Sequence, residues 1–202
     1  MRGEVAFERL MQLGGFKTVL DVGTGHGDAA RRFNQAGKTV TAIDLNPAPE
    51  LFDGIEYVQG DFTGTYPFQG ARQFDLVWCS HTLEHQPDTQ TALDRLVFFT
   101  KEGGLLAITV PPLKPEIVGG HVSLWNPGLL LYRMVLAGLD CREARMCFSG
   151  YDISAIVRKR EVDLPDMSNG NGDLAALKPW LPAGLKWKSA DEFMGEFERL
   201  NW

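Results

Sequence analysis

The chain has 202 residues, of which 44% are hydrophobic and 23% are charged, as is typical of a soluble globular protein. Its formal net charge of -6 excludes a protein that binds nucleic acid through a broadly basic face, because phosphate neutralisation needs lysine and arginine. The N-terminal residues lack the apolar core of a secretory signal, and the most apolar helical run, 129–139, is too short to span a bilayer. We therefore expect a cytoplasmic protein without a membrane span.

Apolar periodicity and turn residues predict alternating helices and strands along the first three quarters of the chain. Asn126 and Pro127 form an N-cap followed by proline at the first helical position, which marks the start of one helix. The predicted helices cover 5–13, 27–35, 89–101 and 127–137. The predicted strands cover 17–22, 39–43, 55–58, 74–79, 105–110, 141–148 and 152–157.

This alternation predicts an α/β fold with a three-layer, doubly wound, seven-stranded sheet. The sheet is mostly parallel, but residues 149–151 form a short link that suits an antiparallel hairpin at its C-terminal end. We predict one domain over 1–157 and a C-terminal helical extension over 158–202.

The extension begins with a polar, turn-rich connector and ends in a predicted helix over 189–202. Ser189 and Glu192 are spaced as a capping box, and the apolar face of this helix consists of Phe193, Phe197 and Leu200. Such a face favours packing on the core or on a partner subunit. The alternative is a lid built from Trp180, Trp187 and Trp202, and the sequence leaves a homodimer open.

A glycine-rich turn follows the first strand in VLDVGTGHGDAARRF, residues 19–33. A dinucleotide site would need G-x-G-x-x-G/A, but Asp28 stands at its third glycine position. Asp21 adds a second carboxylate beside the place where a pyrophosphate would bind, so this alternative is electrostatically poor. A cofactor that carries a cation and no phosphate suits these acids better.

The stretch from Asp21 to Gly27 resembles the first motif of class I S-adenosylmethionine-dependent methyltransferases, an acidic residue followed by x-G-x-G-x-G. Further motifs of this family match at the ends of the next three strands, at Asp44, at 60–62 and in FDLVWCSHTLEH, residues 74–85. The last stretch resembles the branch that includes ubiquinone- and menaquinone-pathway methyltransferases and many small-molecule methyltransferases. The resemblance covers roughly residues 18–157, and it implies S-adenosylmethionine as the cofactor and S-adenosylhomocysteine as its product.

All four motifs lie at the carboxyl ends of strands, which form the ligand-binding edge of an open α/β sheet. Asp44 can accept hydrogen bonds from both ribose hydroxyls, Leu45 and Phe62 offer apolar faces to adenine, and Asp61 can accept from the adenine amine. The glycines let the backbone approach the methionine portion. The predicted cofactor-binding residues are Asp21, Gly23, Thr24, Gly25, His26, Gly27, Asp44, Leu45, Asp61, Phe62, Cys79, Ser80 and His81.

Methyl transfer needs a general base only when the acceptor atom holds its proton tightly. Among the four histidines, His81 at the mouth of the site and His121 in the loop after the fifth strand are the candidates. The three cysteines, Cys79, Cys141 and Cys147, lack the spacing of a zinc site or a disulfide framework, so we predict buried thiols and no metal.

The acceptor is predicted to be a small molecule, methylated on oxygen, nitrogen or carbon. Pro111 and Pro112 follow the fifth strand and do not match the motif of adenine-specific nucleic-acid methyltransferases. Two alternatives remain, namely a protein that binds S-adenosylmethionine without transferring its methyl group, and an NAD-dependent oxidoreductase. The second lacks a Tyr-x-x-x-Lys pair.

Overall fold

The computed structural model describes residues 1–47, 53–64, 68, 71–163, 167, 173–187 and 197–202. Its helices are α1 (Glu4–Leu13), α2 (Asp28–Gln35), α3 (Thr89–Phe99), α4 (Pro127–Leu136) and α5 (Asp173–Leu177). Its strands are β1 (Thr18–Val22), β2 (Thr39–Asp44), β3 (Ile55–Gln59), β4 (Phe74–Ser80), β5 (Thr100–Val110), β6 (Arg145–Ser149), β7 (Asp152–Arg158), β8 (Lys186–Trp187) and β9 (Phe197–Arg199).

Seven of the described strands form one sheet in the order β3-β2-β1-β4-β5-β7-β6. Neighbouring strands from β3 to β5 are parallel, whereas β7 is antiparallel to both β5 and β6. The predicted α/β fold with an antiparallel C-terminal hairpin is confirmed. The strand order reverses between β1 and β4, and in open α/β sheets this switch point is where ligands bind.

Apolar side chains pack on both faces of the sheet because successive residues of a strand point to opposite sides. In β4, Leu76 and Trp78 join the cluster that contains α1 and α2, and Val77 and Cys79 join the larger cluster that contains α3 and α4. The cysteine prediction holds for Cys79 and Cys141, which are buried and free, whereas Cys147 is only partly buried.

The helix caps follow the sequence prediction closely at α4. Asn126 accepts a hydrogen bond from the Leu129 amide at 2.8 Å, and Pro127 occupies the first turn. This capping oxygen satisfies one of the amides that has no partner within the helix. The cap fixes where the loop after β5 ends and α4 begins.

Three predicted boundaries are wrong by two residues or more. The structure ends α3 at Phe99 instead of residue 101, and it starts β5 directly at Thr100, which pairs with Phe74. It also starts β6 at Arg145 instead of residue 141, since the Ala144 amide donates to the Cys141 carbonyl at 3.0 Å and closes a turn. Sheet pairing and turn formation thus override the local apolar pattern.

The C-terminal extension contacts the core through its described residues. Leu177, Leu181 and Leu185 belong to the larger core cluster, and Asn201 donates to the Ala144 carbonyl and accepts from the Met146 amide. These contacts favour packing on the chain's own core over a lid. The domain boundary near residue 157 stays a prediction.

The terminal helix predicted over 189–202 is wrong where the structure describes it. Residues 197–199 form β9, which pairs antiparallel with β8, because pairing with another strand outweighs a weak local helical pattern. The predicted cap residues Ser189 and Glu192, and Phe193, lie outside the described residues. A helix that was not predicted, α5, occurs earlier in the extension.

None of the helices in the described part of the chain combines the length and the hydropathy that crossing a bilayer requires.

Candidate functional site

The glycine turn lies at the switch point, between the end of β1 and the start of α2. The Gly23 amide donates to the Ile43 carbonyl at 2.9 Å, which fixes the turn against β2. The Gly27 amide donates to the Thr24 carbonyl at 2.8 Å, and Gly27 caps α2. The turn therefore presents backbone groups and a helix N-terminus at the carboxyl edge of the sheet.

Gly23 and Gly25 serve this turn for different reasons. Gly23 has a φ of +70°, and a Cβ atom there would lie 2.1 Å from Thr82 Oγ1, so the segment after β4 packs directly on its backbone. Gly25 has a φ of +53°, but its Cβ position meets no atom of the described residues within 4 Å. Gly23 is thus required by packing, whereas a side chain at Gly25 would meet open space.

Asp21 is a buried carboxylate at the end of β1, with 2% of its surface exposed. Thr24 Oγ1 donates to its Oδ2 at 2.7 Å. Burial raises the pKa of Asp21 from 3.8 to about 6, although the hydrogen bonds from Thr24 and the Ala30 amide oppose the shift. Ionisation of the Asp21 carboxyl is costly in the ligand-free protein, so a cation bound beside it would stabilise the ionised form.

We expect Asp21→Asn to stabilise the ligand-free protein by about 1–3 kcal/mol at neutral pH, since a pKa unit corresponds to about 1.4 kcal/mol. Because the pKa of Asp21 is raised in the fold from 3.8 to about 6, the wild-type carboxyl contributes its full stability below 3.8, where it is protonated, and this contribution is lost as the pH rises through about 6. The gain should therefore shrink in acid. Urea unfolding of both proteins at about pH 4 and about pH 7.5 measures it, and a less stable variant at the higher pH would contradict the argument.

Asp44 links the end of β2 to the glycine turn. Its Oδ2 accepts a hydrogen bond from the Gly25 amide at 2.9 Å, and its Oδ1 accepts from the Asn46 amide at 3.0 Å. The neighbouring Leu45 side chain is 66% exposed, so an apolar group stands free beside this carboxylate. The predicted ribose-binding acid and one predicted adenine contact thus lie next to the turn.

The two predicted site residues that follow β3, Asp61 and Phe62, lie in different environments. Asp61 is exposed, and its Oδ1 accepts from the Thr63 amide at 2.8 Å and from Thr63 Oγ1 at 2.7 Å. Phe62 is only 6% exposed and belongs to the larger core cluster. Asp61 therefore organises a local turn, and Phe62 packs mainly in the interior.

A pocket of about 160 Å³, which we call the turn pocket, brings several predicted residues together. Its lining includes Asp21, Gly23, Thr24, His26, Ser80 and His81. Gly25, Gly27, Asp44, Leu45, Asp61, Phe62 and Cys79 do not line it. The turn pocket thus corresponds to part of the predicted cofactor site, next to β1 and β4.

The end of β4 supplies two polar groups to this pocket. Ser80 Oγ is buried and has no hydrogen-bond partner among the described residues. Cys79 is fully buried, and burial raises the pKa of its thiol, so it remains protonated. The serine is available to a ligand, whereas the cysteine is not a nucleophile.

His81 is held between two carboxylates. Its Nε2 lies 2.7 Å from Asp152 Oδ1, and its Nδ1 lies 3.1 Å from Glu84 Oε1. Burial lowers the pKa of His81, but the contacts with Glu84 and Asp152 outweigh burial, and the net pKa is raised. Because both ring nitrogens face carboxylates, this geometry favours positioning, and the base role stays a prediction.

Sequence reasoning did not identify Asp152, which connects His81 with the N-terminal segment. The Gly3 amide donates to Asp152 Oδ2 at 2.9 Å, while Oδ1 contacts His81. Asp152 begins β7, and because β7 is antiparallel its first residue lies at the carboxyl edge of the parallel strands. The predicted antiparallel hairpin, whose second strand begins at residue 152, already implied this position at the edge of the sheet.

A second pocket of about 300 Å³, which we call the loop pocket, lies under the segment between β5 and α4. His121, Trp125, Lys114 and Tyr151 are among its lining residues. The Val122 amide donates to the Glu84 carbonyl at 2.8 Å, which ties this loop to the segment after β4. Tyr151, like Asp152, was not identified from the sequence.

The two pockets adjoin. His81 lines the turn pocket and Tyr151 lines the loop pocket, and their rings stack with centroids 6.3 Å apart. The guanidinium of Arg2 lies 5.3 Å from the Tyr151 ring centroid, and Lys114 Nζ lies 4.5 Å from it. The His81–Tyr151 ring pair thus lies between the two pockets, with the cations of Arg2 and Lys114 and the carboxylate of Asp152 beside it.

Residues 20–108 match the protein family described as "Methyltransferase domain". This range contains the glycine turn, Asp44 and the end of β4, which build the candidate site. This stretch, which is less than half of the chain, is similar to the class I S-adenosylmethionine-dependent methyltransferases. The structure confirms the predicted fold class, and the matches support the predicted family with S-adenosylmethionine as its cofactor.

Curated relatives of this methyltransferase domain include the ubiquinone biosynthesis O-methyltransferases of Salmonella typhimurium and Salmonella arizonae. Each is 37% identical over 97 residues, which are 44% of this chain and 40% of the relative. The match therefore spans less than half of those proteins.

Solved structures with the same fold include the 1,6-didemethyltoxoflavin-N1-methyltransferase of Burkholderia thailandensis, with bound 1,6-didemethyltoxoflavin and S-adenosylhomocysteine. It superposes with a TM-score of 0.66 at 21% identity, covering 78% of this chain and 77% of that one. The N-methyltransferase NodS of Bradyrhizobium japonicum gives 0.63 at 22% identity, covering 78% and 85%. At these identities the likeness concerns the fold.

Proposed function

We propose that this protein transfers the methyl group of S-adenosylmethionine to a hydroxyl oxygen of a small molecule. The observation that carries the proposal is the contact between the turn pocket and the loop pocket at His81 and Tyr151. Methyl transfer is an in-line displacement, so donor and acceptor must be held side by side, and orientation alone can supply about 7–11 kcal/mol. Two adjoining pockets at the ligand-binding edge of the sheet fit this requirement.

The residues around the turn pocket fit the proposed cofactor. S-Adenosylmethionine supplies a methyl group activated by a positively charged sulfur. Asp21 is a buried carboxylate that a cationic ligand would stabilise, Ser80 offers a free buried hydroxyl, and Gly25 leaves room for close approach. In the proposal, Asp44 binds the ribose hydroxyls and Leu45 covers one face of adenine.

The loop pocket is proposed to hold the acceptor. Its apolar wall contains Trp125, and Lys114 brings a positive charge to Tyr151. This combination favours an aromatic or otherwise apolar body with a hydroxyl that becomes anionic during the reaction. The names of the curated relatives, which are O-methyltransferases, support oxygen over nitrogen or carbon.

The two predicted catalytic histidines receive different roles in this proposal. His81, between Asp152 and Glu84, positions the segment after β4 and the N-terminal residues around the turn pocket. His121 lines the loop pocket and is assigned to activation of the acceptor hydroxyl. We propose that the reaction takes place in the cytoplasm and that nucleic acid is not an acceptor.

The proposal is tested by methyl transfer from labelled S-adenosylmethionine to a panel of small phenols, catechols and matched aromatic amines. We expect label in the hydroxyl compounds, with the amines at background. Label in the amines alone would contradict oxygen transfer. Binding of S-adenosylhomocysteine without transfer to any compound would instead support a cofactor-binding protein without transferase activity.

A further inference from the structure

Glu84 is a buried carboxylate whose negative charge is only partly compensated by its neighbours. Its side chain is 0% exposed, and neither Oε1 nor Oε2 has a hydrogen-bond partner among the described residues. The contacts of Oε1 are with His81 Nδ1 at 3.1 Å and with His85 Nε2 at 3.9 Å. Burying an incompletely compensated carboxylate is costly, so the fold holds this group here at the expense of stability.

Two histidines converge on this carboxylate from different parts of the chain. His85 follows Glu84 directly, and His121 comes from the loop after β5, with the two rings 5.1 Å apart and nearly perpendicular. One ligand atom from each of Glu84, His85 and His121 lies within 4.8 Å of the other two. Two imidazoles and a carboxylate form a common donor set for a divalent transition metal.

The orientation of His85 is fixed in the way that metal-binding histidines are fixed. Its Nδ1 lies 2.8 Å from the Gly120 carbonyl oxygen. A carbonyl can only accept, so in the neutral ring Nδ1 carries the proton and the lone pair is on Nε2, which lies 3.9 Å from Glu84 Oε1. A backbone carbonyl that holds the far nitrogen of an imidazole is typical of the surroundings of a metal ligand.

We propose that Glu84, His85 and His121 bind one divalent transition metal ion, with Zn²⁺ as the best match. In a tetrahedral zinc site the ligand atoms lie about 3.3 Å apart, so His121 would rotate inward and Glu84 and His85 would close from 3.9 Å. His121 is partly exposed on a loop, which leaves its ring free to turn. Three protein ligands leave a fourth position for a water molecule or a substrate oxygen.

The position of this metal site deepens the proposed function and, in this one respect, rests on it. His121 lines the loop pocket, so the fourth coordination position would face the proposed acceptor. A hydroxyl on the metal would release its proton to solvent water far more readily than a free one, and its oxygen would then take the methyl group from the sulfonium and leave S-adenosylhomocysteine. His121 would thus activate the acceptor through the metal and not as a free base. Metal binding itself does not depend on the identity of the acceptor.

The test uses the full chain without an affinity tag, treated with a chelator and then titrated with Zn²⁺ in a calorimeter, with Co²⁺ absorption as a second readout. We expect one ion per chain, weakened at least 10-fold in His121→Ala and in Glu84→Gln. His26→Ala is the matched control, because His26 is an exposed histidine outside the cluster, and it should bind Zn²⁺ as the wild type does. Folding of each variant is checked by thermal unfolding.

Absence of stoichiometric Zn²⁺ binding, or equal binding by the wild type and a folded His121→Ala variant, would overturn the metal site. Since His121 lies on a partly exposed loop, this variant keeps the test valid even if Glu84→Gln fails to fold. Methyl transfer that persists without metal would retain the proposed function and remove the metal from it. Zn²⁺ binding with the expected variant pattern but no methyl transfer would retain the site and reject the proposed function.

Discussion

Gly23→Ala should destabilise the protein by about 3–5 kcal/mol, the largest effect that we expect from a single methyl group. A Cβ atom there would lie 2.1 Å from Thr82 Oγ1 and 2.6 Å from its methyl carbon, while φ is +70°. Relief requires displacement of Thr82, which donates to the Val22 carbonyl at 3.1 Å. Overpacking and left-handed backbone strain each cost about 1–3 kcal/mol, and the lost hydrogen bond adds to them.

Gly25→Ala is the matched control. It has a similar φ of +53°, but its Cβ position has no described neighbour within 4 Å. We expect a loss of only about 1–2 kcal/mol from backbone strain, combined with weaker cofactor binding, since the added methyl group would enter the ligand side of the turn. Urea unfolding separates the two variants, and equal stability losses would contradict the assigned role of Gly23.

Asp44→Ala should weaken the binding of S-adenosylhomocysteine by about 100-fold or more. Hydrogen bonds to a charged group contribute about 1.5–3 kcal/mol each, and the proposed carboxylate binds two ribose hydroxyls. The variant also loses the contact between Asp44 Oδ2 and the Gly25 amide, which orients the turn. Calorimetric titration of the folded variant measures the loss.

Asp61→Ala provides the comparison for Asp44. Asp61 is an exposed carboxylate at the end of the adjacent strand, and it is proposed to accept only from the adenine amine. We expect its removal to weaken binding by about 10-fold, in line with one hydrogen bond. A larger effect for Asp61 than for Asp44 would contradict the assignment of the ribose site.

Much of the fold follows from local patterns that the sequence displays directly. Alternation of β-rich runs with helical periodicity determines the layers, and Asn126 with Pro127 marks the start of α4. The cofactor side of the site is equally local, because each motif lies at the end of its own strand. The sequence pattern misassigns residues 197–199 because the pairing of β8 with β9 joins two separate short segments, and helical periodicity does not encode such a contact.

The residues on the acceptor side of the site are brought together by contacts between segments that are far apart in the sequence. Glu84 and His121 are brought together by hydrogen bonds from the Val122 and Ser123 amides to the Glu84 carbonyl. The prediction that no metal binds depends on ligand spacing alone and misses that His81 and His85 lie four residues apart in HTLEH. It could not anticipate that a loop would add His121 to this segment.

Titration of the wild-type protein with S-adenosylhomocysteine, with NAD as the parallel ligand, tests the central claim most directly. The arrangement of Asp21, Asp44 and the glycine turn predicts S-adenosylhomocysteine binding on the order of micromolar and no detectable heat with NAD. Binding of NAD without binding of S-adenosylhomocysteine would contradict it. The acids around the turn would then have been assigned to the wrong ligand.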